Sequence, residues 1–266
     1  MMTIILNSKN RFDKDNTSPN DCEYLFDWGI LADEKYKMTY SLSKYPLPIL
    51  LTAFQQLMIT KRPWGKYSTQ LSGNSLLDES GNGRHATTLN VTVINSSVGG
   101  SSCLSGIKTS TIIWPVGSIP ANYSICCLTR YSGLDRRRIL SGYAFNNNYV
   151  FSNYFQEVGT CFDQNTGFSS RNAVSIAQQQ QWHSFVCVRG NSVLFPNNIM
   201  LDGVGLGASQ IGGFSVGQLA INDSQYNEYS QFEISQVIVF DVSLTQAEML
   251  IVSNSFNNYK TTGILI

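Results

Sequence analysis

Apolar and polar residues alternate with a period of two along most of this chain, and turn residues interrupt them at intervals of roughly ten residues. That pattern predicts short antiparallel strands. In the first part they fall near 3–6, 22–28 and 36–42. After a turn-rich stretch at 64–82 they fall near 87–94, 103–107, 110–114, 123–130, 137–143, 148–155, 158–162, 173–176, 183–189, 198–201, 217–221 and 232–240. Residues 50–60 fit a strand or a short helix equally well, because periodicity does not separate the two over so short a run. One helix is predicted at 244–253, with Ser243 as its cap and Gln246 completing a capping box. Asp202-Gly203 follows an apolar strand and reads as a hairpin turn, since glycine supplies the positive φ such a turn requires.

Side-chain alternation also sorts residues between faces. In 183–189, Phe185, Cys187 and Arg189 share one face and Ser184, Val186 and Val188 the other. Trp182 opens this strand and is expected in the core, not on a binding surface. Cys126 and Cys127 are adjacent in a strand and therefore point to opposite faces.

The formal net charge is zero and only 14% of residues are charged, which argues against a nucleic-acid partner held through its phosphates. The one basic cluster, Arg136-Arg137-Arg138, reads as a solvated turn or an ion-pairing segment, with contact to an anionic partner as the alternative. Polarity comes instead from amides and hydroxyls, as in Asn146-Asn147-Asn148 and Gln178-Gln179-Gln180-Gln181; such surfaces suit subunit packing or hydrogen bonding to sugars. No basic, apolar leader opens the chain, and the apolar region at 47–59 is too short to span a bilayer. The six cysteines (Cys22, Cys103, Cys126, Cys127, Cys161, Cys187) contain no CxxC pair and there are two histidines, so a zinc site is not expected. All six are expected to be reduced, a cytoplasmic setting is expected, and sequons such as Asn222 are expected to carry no glycan.

From about Leu71 to Tyr259 the chain resembles the concanavalin A-like, laminin-G-like jelly-roll domains. Four segments carry the likeness in order. Asp78-Glu79-Ser80-Gly81-Asn82-Gly83-Arg84-His85-Ala86 is similar to their opening loop, and Trp182-His183 to the start of a central strand. Leu201-Asp202-Gly203 is similar to their hairpin. Glu233 to Asp241, followed by Leu244-Thr245-Gln246-Ala247-Glu248, is similar to their closing strand and helix. The resemblance implies an all-β, two-sheet antiparallel sandwich with one short C-terminal helix, and in some members calcium or sugar binding. A second resemblance, over about the first 30 residues, is to minor capsid and penton-type proteins of large DNA viruses and virophages; it rests on Ile4 to Arg11 and Asp21 to Trp28.

These readings divide the chain into an N-terminal β arm at 1–62 and a jelly roll at 63–266. The expected role is a non-enzymatic structural or attachment component of a virion, assembled in a host cytoplasm, with other virion proteins and further copies of itself as partners. The alternative is a carbohydrate-binding module. Tyr24, Phe26, Trp28 and Tyr40 are the expected assembly contacts of the arm, which alternatively extends the sandwich in its own chain. Tyr143, Tyr149, Tyr154 and Tyr226 are the candidate glycan or partner contacts, although tyrosines of this kind also serve to cover a sheet. No catalytic residue, cofactor site or membrane insertion is expected: the paired carboxylates of a glycosidase are not recognisable, and Glu228, Glu233 and Asp241 are dispersed. Asp78, Asn82, Asp202 and Asp223 have the right oxygen chemistry for calcium, but nothing in the sequence brings them together, and no metal is expected to be needed for folding.

Overall fold

The computed structural model describes residues 51–95, 99–143, 148–155, 157–163, 167–173, 175–190, 198–207, 216–223 and 226–266. Tyr24, Phe26, Trp28 and Tyr40, the expected arm contacts, lie outside them. The described residues begin with helix α1 (Ala53–Lys61), then strands β1 (Gly65–Tyr67), β2 (Leu71–Ser72), β3 (Ser75–Leu76), β4 (Ala86–Leu89), β5 (Thr92–Asn95), β6 (Ser102–Gly106) and β7 (Thr111–Ile113). The longer strands β8 (Tyr123–Tyr131), β9 (Arg138–Gly142), β10 (Val150–Tyr154), β11 (Glu157–Asp163) and β12 (Gly167–Ala173) follow. A one-turn helix α2 (Ile176–Gln179) leads into β13 (His183–Arg189), β14 (Ile199–Leu201), β15 (Val204–Gly207), β16 (Leu219–Ile221), β17 (Phe232–Phe240) and helix α3 (Gln246–Thr262).

The strands form two antiparallel sheets. One runs β15-β14-β13-β8-β17-β6-β5, with β1 also paired to β17; the other runs β12-β11-β10-β9-β16-β7-β4-β3-β2. Between them lies an inner core that includes Trp114, Tyr131, Phe151, Phe185, Cys187, Leu219 and Phe232. The first sheet is also buried on its other side. There Cys126, Leu128, Val186, Val188, Ile238 and Phe240 form an outer core with Phe54 and Leu57 of α1 and with Met249, Val252, Phe256 and Tyr259 of α3. This is why β13 and β17 are buried at every position. Cys126 and Cys127 fall in the outer and inner core respectively, as alternation requires.

Three expectations change. The strand expected at 87–94 is two strands: Asn90 adopts a left-handed φ of 53°, and the chain passes from β4 in one sheet to β5 in the other. Asparagine tolerates that backbone better than most residues, and Ser110 Oγ fixes the bend by donating to Asn90 O at 2.6 Å. The strand expected at 173–176 instead ends at Ala173, and α2 begins at Ile176. The C-terminal helix starts later and runs further than expected. Its cap is Thr245, with Glu248 returning the hydrogen bond, while Ser243 Oγ donates to Arg189 O. Glu248 brings negative charge to the helix N-terminus, which Gln246 cannot. Leu244 and Met249, both buried in the outer core, occupy the positions of a hydrophobic staple.

Within the stretch left open between strand and helix, Ala53–Lys61 is helix. Thr52 and Gln55 form a capping box at the start of α1, and Lys61 reaches Glu248 of α3 at 2.9 Å. Helix α1 falls in the segment expected to be the arm, yet it belongs to the same compact unit as the sandwich, Leu51–Ile266.

Candidate functional site

The Asp202-Gly203 turn has φ of 50° and 90°, as a tight hairpin between β14 and β15 requires. The Asp202 carboxylate is also fully engaged. It accepts from the Ser184 N–H at 2.9 Å, from His183 Nδ1 at 2.7 Å and from Lys260 Nζ at 2.8 Å. Burial alone would raise its pKa, but the hydrogen bonds from His183, Lys260 and Ser184 together bring it down to about 2. Since that value lies below the roughly 3.9 of an unfolded aspartate, the interaction stabilises the fold above about pH 4 and is lost as pH falls towards 2. Asp202→Asn is therefore expected to flatten the loss of stability between pH 4 and pH 2, as read from urea midpoints. The effect is modest because a third of the side chain is exposed. An unchanged acid slope would show the triad to be unimportant.

Asp78 is engaged in a similar way. Its oxygens accept the N–H groups of Lys66, Ser80 and Arg84, while Asn82 Nδ2 donates to Pro63 O and Trp64 O. These groups hold the opening loop onto β1. Among the described residues no cluster of three His, Cys, Asp or Glu side chains is arranged to hold a metal.

The second cluster is built around Arg138, at the start of β9. Its Nε pairs with Glu228, and Nη1 donates to Asn148 Oδ1 at 2.7 Å and to Tyr149 O at 3.5 Å. The guanidinium lies 4.7 Å from the Tyr226 ring centre and 5.5 Å from that of Tyr154. Arg138 is buried, whereas Tyr226 is 46% exposed. Beside Tyr154, Phe155 holds a left-handed φ of 52°, uncommon for a bulky side chain. Its ring meets Tyr154 edge-on at 4.5 Å and lies under Arg137 at 4.5 Å. The basic run lies where the β8–β9 turn enters β9, as expected of a turn or ion-pairing segment: Arg136 Nε donates to Gly133 O, exposed Arg137 covers an aromatic ring and Arg138 is ion-paired.

Asn222 positions the loop that carries Tyr226 and Glu228. At φ 55° it accepts the Ser230 N–H at 2.7 Å and donates to Ile107 O, Ser110 O and Ser230 O. Neither Asn222 nor Arg138 stands out in the sequence as a site residue, because Ile107 and Ser110 for Asn222, and Glu228 for Arg138, lie 90 or more positions away. Of the four candidate tyrosines, the structure brings Tyr154 and Tyr226 together. Tyr143 is half-buried and its N–H donates to Gln218 O. Tyr149 offers no surface platform: it is fully buried and stacked on Phe151 in the inner core, and its carbonyl accepts from Arg138.

The carboxylates weighed for catalysis are separate. Glu228 serves Arg138, Glu233 pairs with Arg130 at 2.6 Å, and Asp241 is exposed beyond the end of β17. His183 is held between Asp202 and the Gln178 carbonyl, and His85 Nδ1 accepts the Asp78 N–H.

No protein-family model and no curated protein matches the sequence. Solved structures do match. Trypanosoma rangeli sialidase in complex with sialic acid aligns at a TM-score of 0.51 and 13% identity over 73% of this chain and 33% of its own, so this chain spans about a third of that enzyme's length. Domain 4 of AbnA, a GH43 extracellular arabinanase from Geobacillus stearothermophilus, in complex with arabinotriose, aligns at 0.51 and 15% identity, covering 72% of this chain and 98% of its own. The binding domain of Paraclostridial Mosquitocidal Protein 1 aligns at 0.51 and 12% identity, covering 72% and 52%. None of these three is named as a capsid or penton protein. At such identities the likeness establishes the fold alone: a two-sheet antiparallel sandwich, consistent with the concanavalin A-like architecture.

Proposed function

We propose that this sandwich is a lectin-like module that recognises a glycan at the Arg138 cluster. The observation that carries the reading is the placing of Arg138 against the faces of Tyr154 and Tyr226, with its guanidinium anchored by Glu228 and Asn148. An exposed aromatic face suits the apolar C–H face of a sugar ring, and carboxylate and amide oxygens beside it accept hydroxyl hydrogen bonds. Pinning by the salt bridge and by the Asn222-held loop reduces the ordering cost of binding. Two of the three structural neighbours, the sialidase and the arabinanase domain, are described with a sugar bound, which favours a saccharide over other ligands.

Binding without hydrolysis is part of the proposal. A glycosidase of the usual kind needs two carboxyl groups flanking the scissile bond, and Glu228 is committed to Arg138. A place on a virion rests on the N-terminal resemblance and adds no residue to this site.

The test is a glycan array on the full chain, followed by calorimetry with the best ligand. Tyr226→Ala is expected to weaken binding about tenfold or more, as for an aromatic anchor, without moving the melting temperature. An array with no bound glycan, or undiminished binding by the variant, would reject the proposal.

A further inference from the structure

We propose that Cys161 and Cys187 form a covalent cross-link site that ties the two sheets of the sandwich together. Cys161 lies on β11, paired in register with Phe151 of β10, and Cys187 lies on β13 of the opposite sheet, paired with Ile125 of β8. Both belong to the inner core, with relative exposures of 2% and 0%. Their Sγ atoms are 2.6 Å apart although the residues are 26 positions apart in sequence. A thiol is a weak donor and a weak acceptor, so hydrogen bonding does not account for so close an approach across a sandwich. The reduced state expected from the sequence is one of two states this geometry serves.

The other described cysteines are placed differently. Cys103 and Cys126 lie in the outer core, on the far side of the first sheet. Cys127 shares the inner core, but it lies on β8 with its thiol hydrogen-bonded to Ser152 and Thr129.

The oxidant is a small disulfide such as oxidised glutathione. One cysteine thiolate attacks a glutathione sulfur, the glutathione S–S bond breaks, and one glutathione thiolate leaves with a mixed disulfide formed. The second cysteine thiolate then attacks the protein sulfur of that mixed disulfide and displaces the second glutathione. Two protein thiols have lost two protons and two electrons, and one glutathione disulfide has become two glutathione thiols. Because both sulfurs are buried once the sheets close, the exchange takes place during folding. The bond therefore records the redox state of the compartment in which the chain folded.

The test uses the full chain, unfolded and reduced, then refolded either with dithiothreitol or with a reduced and oxidised glutathione mixture. Each sample is blocked with N-ethylmaleimide and digested without reduction for mass spectrometry. A Cys161–Cys187 linked peptide is expected in the glutathione sample only, with a melting temperature higher by roughly 5–10 °C, as suits closure of a loop of this length in a domain of this size. Cys187→Ser is expected to lose both the peptide and the shift. Six blocked cysteines in a natively refolded glutathione sample, a link through another cysteine, or a linked protein that melts lower than the reduced one would each overturn the proposal. The linked peptide is read on the unsubstituted chain, so the test stands even if the variant does not fold.

Discussion

Replacing Trp182 by alanine is expected to cost roughly 3–5 kcal/mol of stability, the range for a large aromatic removed from a core. Trp182 is 9% exposed and belongs to the outer core, where β13 meets α3. The Arg130 guanidinium lies 5.0 Å from its ring centre, and that arginine is tied to Glu233. Truncation therefore opens a cavity under α3 and removes a cation–π contact of about 0.5–1 kcal/mol. Trp182→Phe is expected to cost much less, because the indole N–H has no hydrogen-bond partner to lose. Urea denaturation with an unchanged slope would measure both. An alanine cost below about 1 kcal/mol, the scale of an ordinary surface change, would remove Trp182 from the core.

Gly99→Ala is expected to cost about 2–3 kcal/mol and to loosen the end of α3. Gly99 has a φ of +52°, where an L side chain pays about 1–2 kcal/mol. An added Cβ would also collide with the Gly263 nitrogen and stand 2.6 Å from the Tyr259 oxygen. Both are backbone atoms and cannot swing aside. The Gly99 N–H donates to Lys260 O at 2.9 Å, so displacing it also releases a carbonyl at the helix C-terminus, worth about 1 kcal/mol. Gly73→Ala is the control: its φ is +57°, but nothing lies within 4 Å of the added carbon, so only backbone strain is introduced. Thermal melts, with hydrogen exchange over 258–263, would separate the two. Equal destabilisation by both substitutions would mean that the docking of α3 on Gly99 is unimportant.

The sandwich class was legible because short alternating strands and their turns are written locally. The face assignments in β13 and the Asp202-Gly203 hairpin follow from neighbouring residues, as does the opposition of Cys126 and Cys127. The cap of α3 shows the limit of such reading. Ser243/Gln246 and Thr245/Glu248 both fit the pattern, and the choice fell to Thr245 where Ser243 is held by Arg189 O across the fold.

Local pattern was enough for most of the strands from β4 onward and for the existence of a terminal helix, because backbone preference and side-chain alternation act over a few residues; β1, β2, β3, β12 and β15 were not among the expected strands. Tertiary structure decided the rest. It broke 87–94 at Asn90 so that the chain could change sheets, and it buried β13 and β17 on both faces beneath α1 and α3. It turned Tyr149 inward while holding Tyr226 outward over Arg138, and it set Cys161 against Cys187. In a sandwich, residues that touch are separated by long stretches of chain, and their meeting depends on how two sheets stack, which no local pattern encodes.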